Sequence, residues 1–484
     1  MRTCAFVTLG CKINQYETEA IREEVLSFGL QEVLPQEPAD LYVVNACSVT
    51  HESGAKSRRA VLRLARTNPR SRILVMGCAS PAERLLLRKI PQVAAVLGND
   101  EKGAVPELVR EGLPQAPGLR EGARSATTGE EAPGRLRVAR TRGPGVRRDV
   151  LDLQVTRFKS RTRAYVKVQD GCNGFCSFCI IPFLRGTSRS RPRQAVLDEV
   201  KRLAANGYRE IVVTGIHLQD YGPDLQESAD LVDLLAAVAA CAGAGGIRRV
   251  RLSSLGPRAF TADLVDLLRS DDVFCPHWHI PLQSGDDSVL ALMRRDYGGD
   301  DFLAAVERLR AAFPRPSITT DVIVGHPGET EEAFGQTLEI CQAVGFSKIH
   351  IFPFSAREGT RAAALPGRVP ASEAARRARA MQGLERELAL RFKKLFAGET
   401  VEILAEGESA EGAGTAAAHL HPEPPRGSWI EGYTERYLRV RAPAIDPASL
   451  RNGLLRVRVE RVQADLLEGA LVRGPKEGEE RESP

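Results

Sequence analysis

The stretch DGCNGFCSFCIIP, residues 170–182, places Cys172, Cys176 and Cys179 within eight positions, and no fourth Cys or His follows in the local run. A structural zinc site closes its tetrahedron with four protein ligands. The next candidate, His217, falls far along the chain at the end of another strand pattern. In an iron-sulfur cubane each of the four irons wants one outer ligand, so three thiolates leave one iron open to a substrate or cofactor. The Cx3Cx2C spacing therefore reads as a site built for chemistry at a metal, with zinc as the competing assignment.

A second set of thiols is dispersed. Cys11, Cys47 and Cys78 each end a strand pattern, in CAFVTLGC, DLYVVNAC and RILVMGC, and the helical patterns QYETEAIREEVLSFG and ESGAKSRRAVLRLAR separate them. Such alternation implies parallel strands with crossover helices. Open α/β sheets gather ligands at the carboxyl ends of their strands, so these three thiols should converge at one edge. A single buried Cys would mean little, but three strands that all end in Cys point to a shared ligand site. Cys4, Cys241, Cys275 and Cys341 lack partner spacing and read as core packing.

The elements that must hold the Cx3Cx2C loop begin near residue 151. Strand patterns in AYVKVQDG, EIVVTGIH, RVRLSSL, HWHIPLQSG, ITTDVIVGHPG and KIHIFPFS alternate with helical ones such as QAVLDEVKRLAANG and DDFLAAVERLRAAF. Six βα units predict a partial (β/α)6 barrel, with chemistry at the carboxyl ends of its strands, and the cysteine loop follows the first of them. Beyond RFKKLFAG the pattern changes to alternating apolar and polar residues, which argues a small antiparallel β domain with a loop at 409–426. The predicted class is α/β: a parallel α/β domain over 1–100, a flexible Gly/Pro/Arg-rich linker over 101–150, the barrel core over 151–395, the β domain over 396–475 and a charged tail over 476–484.

Composition narrows the setting. With 484 residues, 43% hydrophobic and 27% charged, the chain can bury large cores. Its first residues do not resemble a secretory signal, and its longest apolar run, LLAAVAACAGAGGI, is too short to cross a bilayer, so a cytoplasmic protein without membrane contact is expected. Ten cysteines in this length are too few for a disulfide framework and suit metal ligands or reactive thiols. The net charge is +5, with Arg dense in RRAVLRLAR, LRGTSRSRPR and RNGLLRVRVERV, which allows a polyanionic partner or simply a solvated face.

Cx3Cx2C after the first strand of a βα barrel resembles the radical SAM superfamily. The resemblance implies that the open iron of a 4Fe-4S cluster on Cys172, Cys176 and Cys179 binds S-adenosylmethionine, whose reductive cleavage gives a 5′-deoxyadenosyl radical, while the protein supplies position and exclusion. VTGIH, LSSL, PLQSG and VIVGHPGE fall where the bound cofactor would need close backbone approach, which makes Thr214, Gly215, Ser254 and Gly325 candidate contacts.

A preceding domain with three separated cysteines and a following small β domain resemble the methylthiotransferases over nearly the whole chain. That likeness implies a second 4Fe-4S cluster on Cys11, Cys47 and Cys78 and a TRAM-like RNA-binding module at the C-terminus. It also implies that one S-adenosylmethionine methylates a sulfur carried on the second cluster and another yields the radical that activates an aromatic C–H, so no residue is nominated as a catalytic acid or base. TLGCKINQYETE, TGIHLQDYG, HIPLQSGDDSVLALMRR and HIFPFSAREGT are most similar to the branch that makes 2-methylthio-N6-threonylcarbamoyladenosine at tRNA position 37. Implied partners are the tRNA anticodon loop, an electron donor such as a flavodoxin or ferredoxin system, and a sulfur source.

The family's other substrates, isopentenyladenosine in tRNA and a ribosomal-protein aspartate, are alternatives; more remote is a non-catalytic iron-sulfur or zinc protein that binds RNA. Candidate RNA contacts are Arg185, Arg189, Arg191 and Arg193 beyond the cysteine loop, and Tyr433, Arg436, Tyr437 and Arg439 in GYTERYLRVR, where phosphate pairing and base stacking compete with plain solvent exposure. His326 stands where the family usually has Phe.

Overall fold

Near-continuous apolar runs such as LYVVNA form strands buried on both faces, as parallel sheets covered by helices require. In the computed structural model, which describes residues 1–113, 153–159, 161–226, 229–408 and 428–472, five parallel strands make the first sheet. Its order is Gln31–Glu32, Thr3–Thr8, Leu41–Ala46, Arg72–Gly77, Val93–Leu97. Side chains alternate across the sheet: Tyr42, Val44 and Val75 pack in one layer, and Leu41, Val43, Leu74 and Met76 in the other. The helices His51–Thr67 and Pro81–Arg88 start in capping boxes at Thr50/Ser53 and Ser80/Glu83. Val105, Val109 and Leu113 join the second layer, so the domain continues past the expected boundary at 100. That extension was hard to read because its helix, Val105–Glu111, is short and runs into Gly/Pro-rich sequence. The rest of the expected linker, the 409–426 loop and the charged tail lie outside the described residues.

The central domain has the six expected parallel strands. Arg163–Lys167, Glu210–Thr214 and Arg249–Leu252 form one ladder, and His277–His279, Ser317–Val324 and Lys348–Pro353 another. A bridge between Val250 and Phe274, which leads into His277–His279, sets the two ladders side by side, and the first and last of the six strands are not paired. Val166, Val213, Val250 and Ile318 pack under Leu235, Phe302 and Met381 of the surrounding helices.

The N-terminal domain spans the opening. Helix Lys12–Ser27 packs beside the first strand, where Tyr16 Oη donates to Leu153 O (2.6 Å). At the other edge His51 meets Ser355 Oγ (3.1 Å) and Ala356 O (2.6 Å), and Arg357 meets Glu83 (3.4 Å), all just past the last strand. The C-terminal strands Thr400–Glu408, Ser428–Thr434, Arg439–Ala444, Leu454–Val462 and Leu467–Leu471 close into a barrel around Ile403, Ile430, Val440 and Val457. Arg249 and Arg251 dock it: their guanidiniums donate to Tyr433 O (3.0 Å), Glu402 O (2.9 Å) and Glu435 O (2.8 Å). Among the described residues no helix is long and apolar enough to cross a membrane.

Candidate active site

The cysteine loop is clamped at its base by pairing of Gln169–Asp170 with Arg189–Ser190. Gly171 takes φ 74°, and a Cβ there would lie 2.0 Å from Thr187 O, so only glycine lets the two ends of the loop meet. A Cβ on Gly174 would sit 3.4 Å from Cys172 Sγ and 3.8 Å from Cys176 Sγ, which places both sulfurs around one point. The Gly174 amide donates to Cys172 Sγ (3.3 Å), and Arg295 Nη1 approaches Cys176 Sγ at 3.1 Å, a positive partner for a thiolate. Burial pushes the Cys179 thiol up to about 12, with Cys176 and Cys172 adding to the rise. A cationic metal core offsets that cost of ionisation, so three clustered sulfurs fit an iron-sulfur cubane with one open iron.

Cys11, Cys47 and Cys78 lie just past the carboxyl ends of Thr3–Thr8, Leu41–Ala46 and Arg72–Gly77. Gly10, at φ 97°, lets the Cys11 turn pass over Cys47; a Cβ there would strike Cys47 Cβ at 2.8 Å and Sγ at 2.9 Å. The Cys78 amide donates to Ala46 O (3.1 Å), which sets Cys78 beside Cys47. Burial raises the Cys47 thiol, and Cys78 and Cys11 raise it further. This donor set fits a second cubane with an open iron, and neither triad requires a fourth protein ligand. Cys78 packs with Ile180 and Leu184, residues that directly follow Cys179, and Asn99 links the two by reaching Cys78 Sγ (3.4 Å) and Leu184 O (2.9 Å). The two sets of cysteines thus belong to different domains, and Cys78 of the first packs against the segment that follows Cys179 of the second.

Beneath that helix lies a buried ionic network. Arg185 contacts Glu17 and Asp170 (3.0 Å each) and Asn14 (2.7 Å); Lys167 contacts Glu17 (3.0 Å) and Asp170 (2.8 Å); Lys102 also pairs with Glu17. Burial alone would raise the Glu17 carboxyl, but Arg185, Lys102 and Lys167 hold it well below the carboxylate range. The RNA contacts expected at Arg185, Arg189 and Arg191 are therefore corrected: all three side chains are buried. Arg191 donates to Glu199 (2.6 Å) and Lys167 O (2.7 Å), and Arg189 lies 3.7 Å from Asp170. Arg193 is half-buried at the start of helix Arg193–Ala205.

In the β domain Arg436 is turned against the barrel, donating to Arg315 O (2.9 Å) and Pro314 O (3.0 Å), which corrects its assignment to RNA, and Arg439 pairs with Glu431 (2.7 Å). Tyr433 and Tyr437 lie ring to ring at 5.1 Å, and Tyr437, 38% exposed, stacks on His277. Of the proposed cofactor contacts, Thr214 is buried, and Gly215 follows it, its amide facing Ser253 Oγ (3.4 Å). Ser254 is exposed at the end of its strand. Gly325, at φ 80°, leaves no room for a Cβ because Ala374 would be 2.7 Å away, so this glycine admits the helix Ala371–Lys394.

Several polar residues that face the barrel interior were not singled out from sequence. His279 Nε2 lies 3.2 Å from Asp321 and its Nδ1 3.0 Å from Thr319 Oγ1, with the His350 ring 5.7 Å away. Lys12 lies within electrostatic reach of Arg251, Arg163, Cys11 and Asp321. Arg163 also lines a cleft of about 380 Å³ with Lys159, Arg161, Thr162 and Glu406. The run KSRTR was the available signal for this cleft; the alternation HWHIP was the signal for the histidines.

His326 is buried against Phe178 (6.5 Å) and Phe354 (5.3 Å), its Nδ1–H donating to Pro327 O (2.9 Å) and its Nε2 unpaired. Burial lowers it to about 4 from the ordinary 6.5. Its neutral form is thus favoured in the fold, and the associated stability is complete above 6.5 and lost as pH falls through 4. At pH 5 the cost is about 2 kcal/mol. His326→Phe is expected to remove this increment of acid lability, read as a smaller drop in urea midpoint between pH 7.5 and pH 5 than wild type shows.

Residues 166–341 match the model of the radical SAM superfamily, and residues 3–98 that of "Uncharacterized protein family UPF0004". The central barrel is thereby a radical SAM domain. The chain is 34% identical to the threonylcarbamoyladenosine tRNA methylthiotransferase MtaB of Chlamydia pneumoniae, over 97% of this chain and 98% of that protein. It is 36% identical to the protein of the same name from Thermotoga maritima, over 84% and 87% of the two chains. To the tRNA-2-methylthio-N(6)-dimethylallyladenosine synthase of Carboxydothermus hydrogenoformans it is 33% identical over 83% and 88%. Among solved structures, the radical SAM methyltransferase TsrM from Kitasatospora setae shares the fold, with a TM-score of 0.50 and 17% identity over 73% of each chain. The chain belongs to the radical SAM methylthiotransferase family, whose cofactors are S-adenosylmethionine and 4Fe-4S clusters.

Proposed function

We propose that this protein adds a methylthio group to C2 of N6-threonylcarbamoyladenosine at position 37 of tRNA. The observation that carries the reading is that Cys78, from the N-terminal set of three thiols, packs against Ile180 and Leu184 just past the barrel's Cys172–Cys176–Cys179 loop. The clusters supply electron transfer to S-adenosylmethionine and a carrier for sulfur. The protein's own part is positional: Cys172, Cys176 and Cys179 hold one cluster, Cys11, Cys47 and Cys78 the other, and the buried ions of Glu17, Asp170 and Arg185 lock the two domains in register. The N-terminal domain covers the open side of the barrel, which keeps water from a reactive radical.

The substrate follows the relatives that match over most of the chain. In this reading Thr214, Gly215 and Ser254 line the cofactor's edge of the barrel. The C-terminal barrel acts as a TRAM-like RNA module, and Lys159 and Arg161 at the cleft carry the tRNA backbone. A cytoplasmic flavodoxin or ferredoxin system delivers electrons, and a separate donor replenishes sulfur.

Mass spectrometry of tRNA nucleosides from a strain lacking the gene, with and without its restoration, tests the assignment. Loss and return of the methylthio group on threonylcarbamoyladenosine is the expected result. Loss on isopentenyladenosine, or no change in any tRNA nucleoside, sinks the substrate assignment.

A further inference from the structure

Lys12 opens helix Lys12–Ser27 and directly follows the cluster ligand Cys11. Its electrostatic neighbours come from both sides of the domain boundary: Cys11 from its own domain, and Arg251, Arg163 and Asp321 from barrel strands. Asp321 is already engaged by His279 at 3.2 Å. Among the described residues no carboxylate forms an ion pair with Lys12, whereas Arg163 pairs with Glu406 and Arg251 with Glu210 (3.0 Å).

Two further polar atoms near this group are buried without a hydrogen-bond partner, Arg163 Nη1 and His277 Nδ1. The rings of Tyr433 and Tyr437 lie against Arg163 (4.7 and 4.9 Å), and Tyr437 lies 4.6 Å from Arg251. Three cations held together at low dielectric repel one another, and an unmet buried donor such as Arg163 Nη1 is costly. A bound anion relieves both.

We propose that Lys12, backed by Arg163, binds the carboxylate of the threonylcarbamoyl group on N6 of the substrate adenosine and so selects that base over one with an apolar N6 chain. This rests on the substrate assigned above. Lys12 adjoins Cys11, so the group that reads the N6 substituent stands beside the cluster that serves C2, and both positions flank N1 on one edge of adenine. Asp321, with His279 and His350, forms a group whose ligand atoms lie within 4.8 Å of one another, a compact set of donors and acceptors for the urea and hydroxyl of the same substituent. An isopentenyl chain has neither charge nor hydrogen-bonding groups and leaves these polar atoms unpaired. That is the situation in which a site discriminates strongly.

The test uses the full-length holoenzyme and two anticodon stem-loops, one carrying threonylcarbamoyladenosine and one carrying its carboxamide, which keeps the shape and removes the charge. Wild type is expected to favour the carboxylate in kcat/KM by about 10–150-fold, the range of one charged hydrogen bond. Lys12→Met should bring the two substrates to parity by losing only the carboxylate's advantage, and Lys12→Arg should restore part of it. Iron and sulfide content verifies that both clusters remain. Turnover of both stem-loops at equal efficiency by wild type overturns the inference, whatever the variants do, and so does a Lys12→Met variant that loses both equally. Wild type that modifies an isopentenyladenosine stem-loop and ignores threonylcarbamoyladenosine overturns the substrate assignment as well.

Discussion

Arg185→Ala is expected to destabilise the folded chain by about 3–5 kcal/mol, the usual cost of removing one partner from a buried ionic cluster. Arg185 lies wholly out of solvent and answers two carboxylates on two domains, Glu17 from the N-terminal helix and Asp170 from the base of the cysteine loop. Removing it leaves Lys102, Lys167 and Arg189 to offset both charges and abolishes the contact to Asn14. Glu17 and Asp170 are held below the carboxylate range in the fold. Their stabilisation is present above the ordinary carboxylate pKa and is lost as pH falls through their depressed values. Without Arg185 those values rise, so acid unfolding should begin at higher pH. Urea denaturation from pH 7 down to pH 3 checks both effects. A variant as stable as wild type that has lost tRNA affinity would instead return Arg185 to the RNA surface.

The second large effect separates the triads. Cys176→Ala should abolish both reductive cleavage of S-adenosylmethionine and methylthiolation, each by more than about a thousandfold, because the ligand set that leaves one iron open is broken. Cys47→Ala should abolish methylthiolation to the same degree yet leave cleavage to 5′-deoxyadenosine within about tenfold of wild type, since the barrel's own triad is intact. Each variant should lose about four irons per chain. Product assays run alongside 5′-deoxyadenosine quantification give the answer. Methylthiolation that survives Cys47→Ala would remove the N-terminal triad from the reaction.

The arginines of LRGTSRSRPR show where legibility ended. A dense positive run reads as an RNA surface because charge is normally solvated. Here Arg185 sits on the helix that follows Cys179 and meets Glu17 of the N-terminal domain, while Arg189 and Arg191, at the strand that clamps the loop, meet Asp170 and Glu199. Glu17 and Glu199 carry no local sign of that pairing. The Tyr and Arg of GYTERYLRVR were divided in the same way, with Arg436 spent on docking and Tyr437 left partly exposed.

What was written in local order was readable: the strand periods, the six βα units and the placing of the two sets of three cysteines after strands depend on residues a few positions apart or on the rule that parallel strands present their carboxyl ends together. What depended on encounters across hundreds of residues was not. Which arginines are buried, how the N-terminal domain covers the barrel's open side, and that Lys12 joins Arg163, Arg251 and Asp321 were decided only by tertiary packing, because burial and pairing of a charge are set by neighbours that the chain brings from other domains.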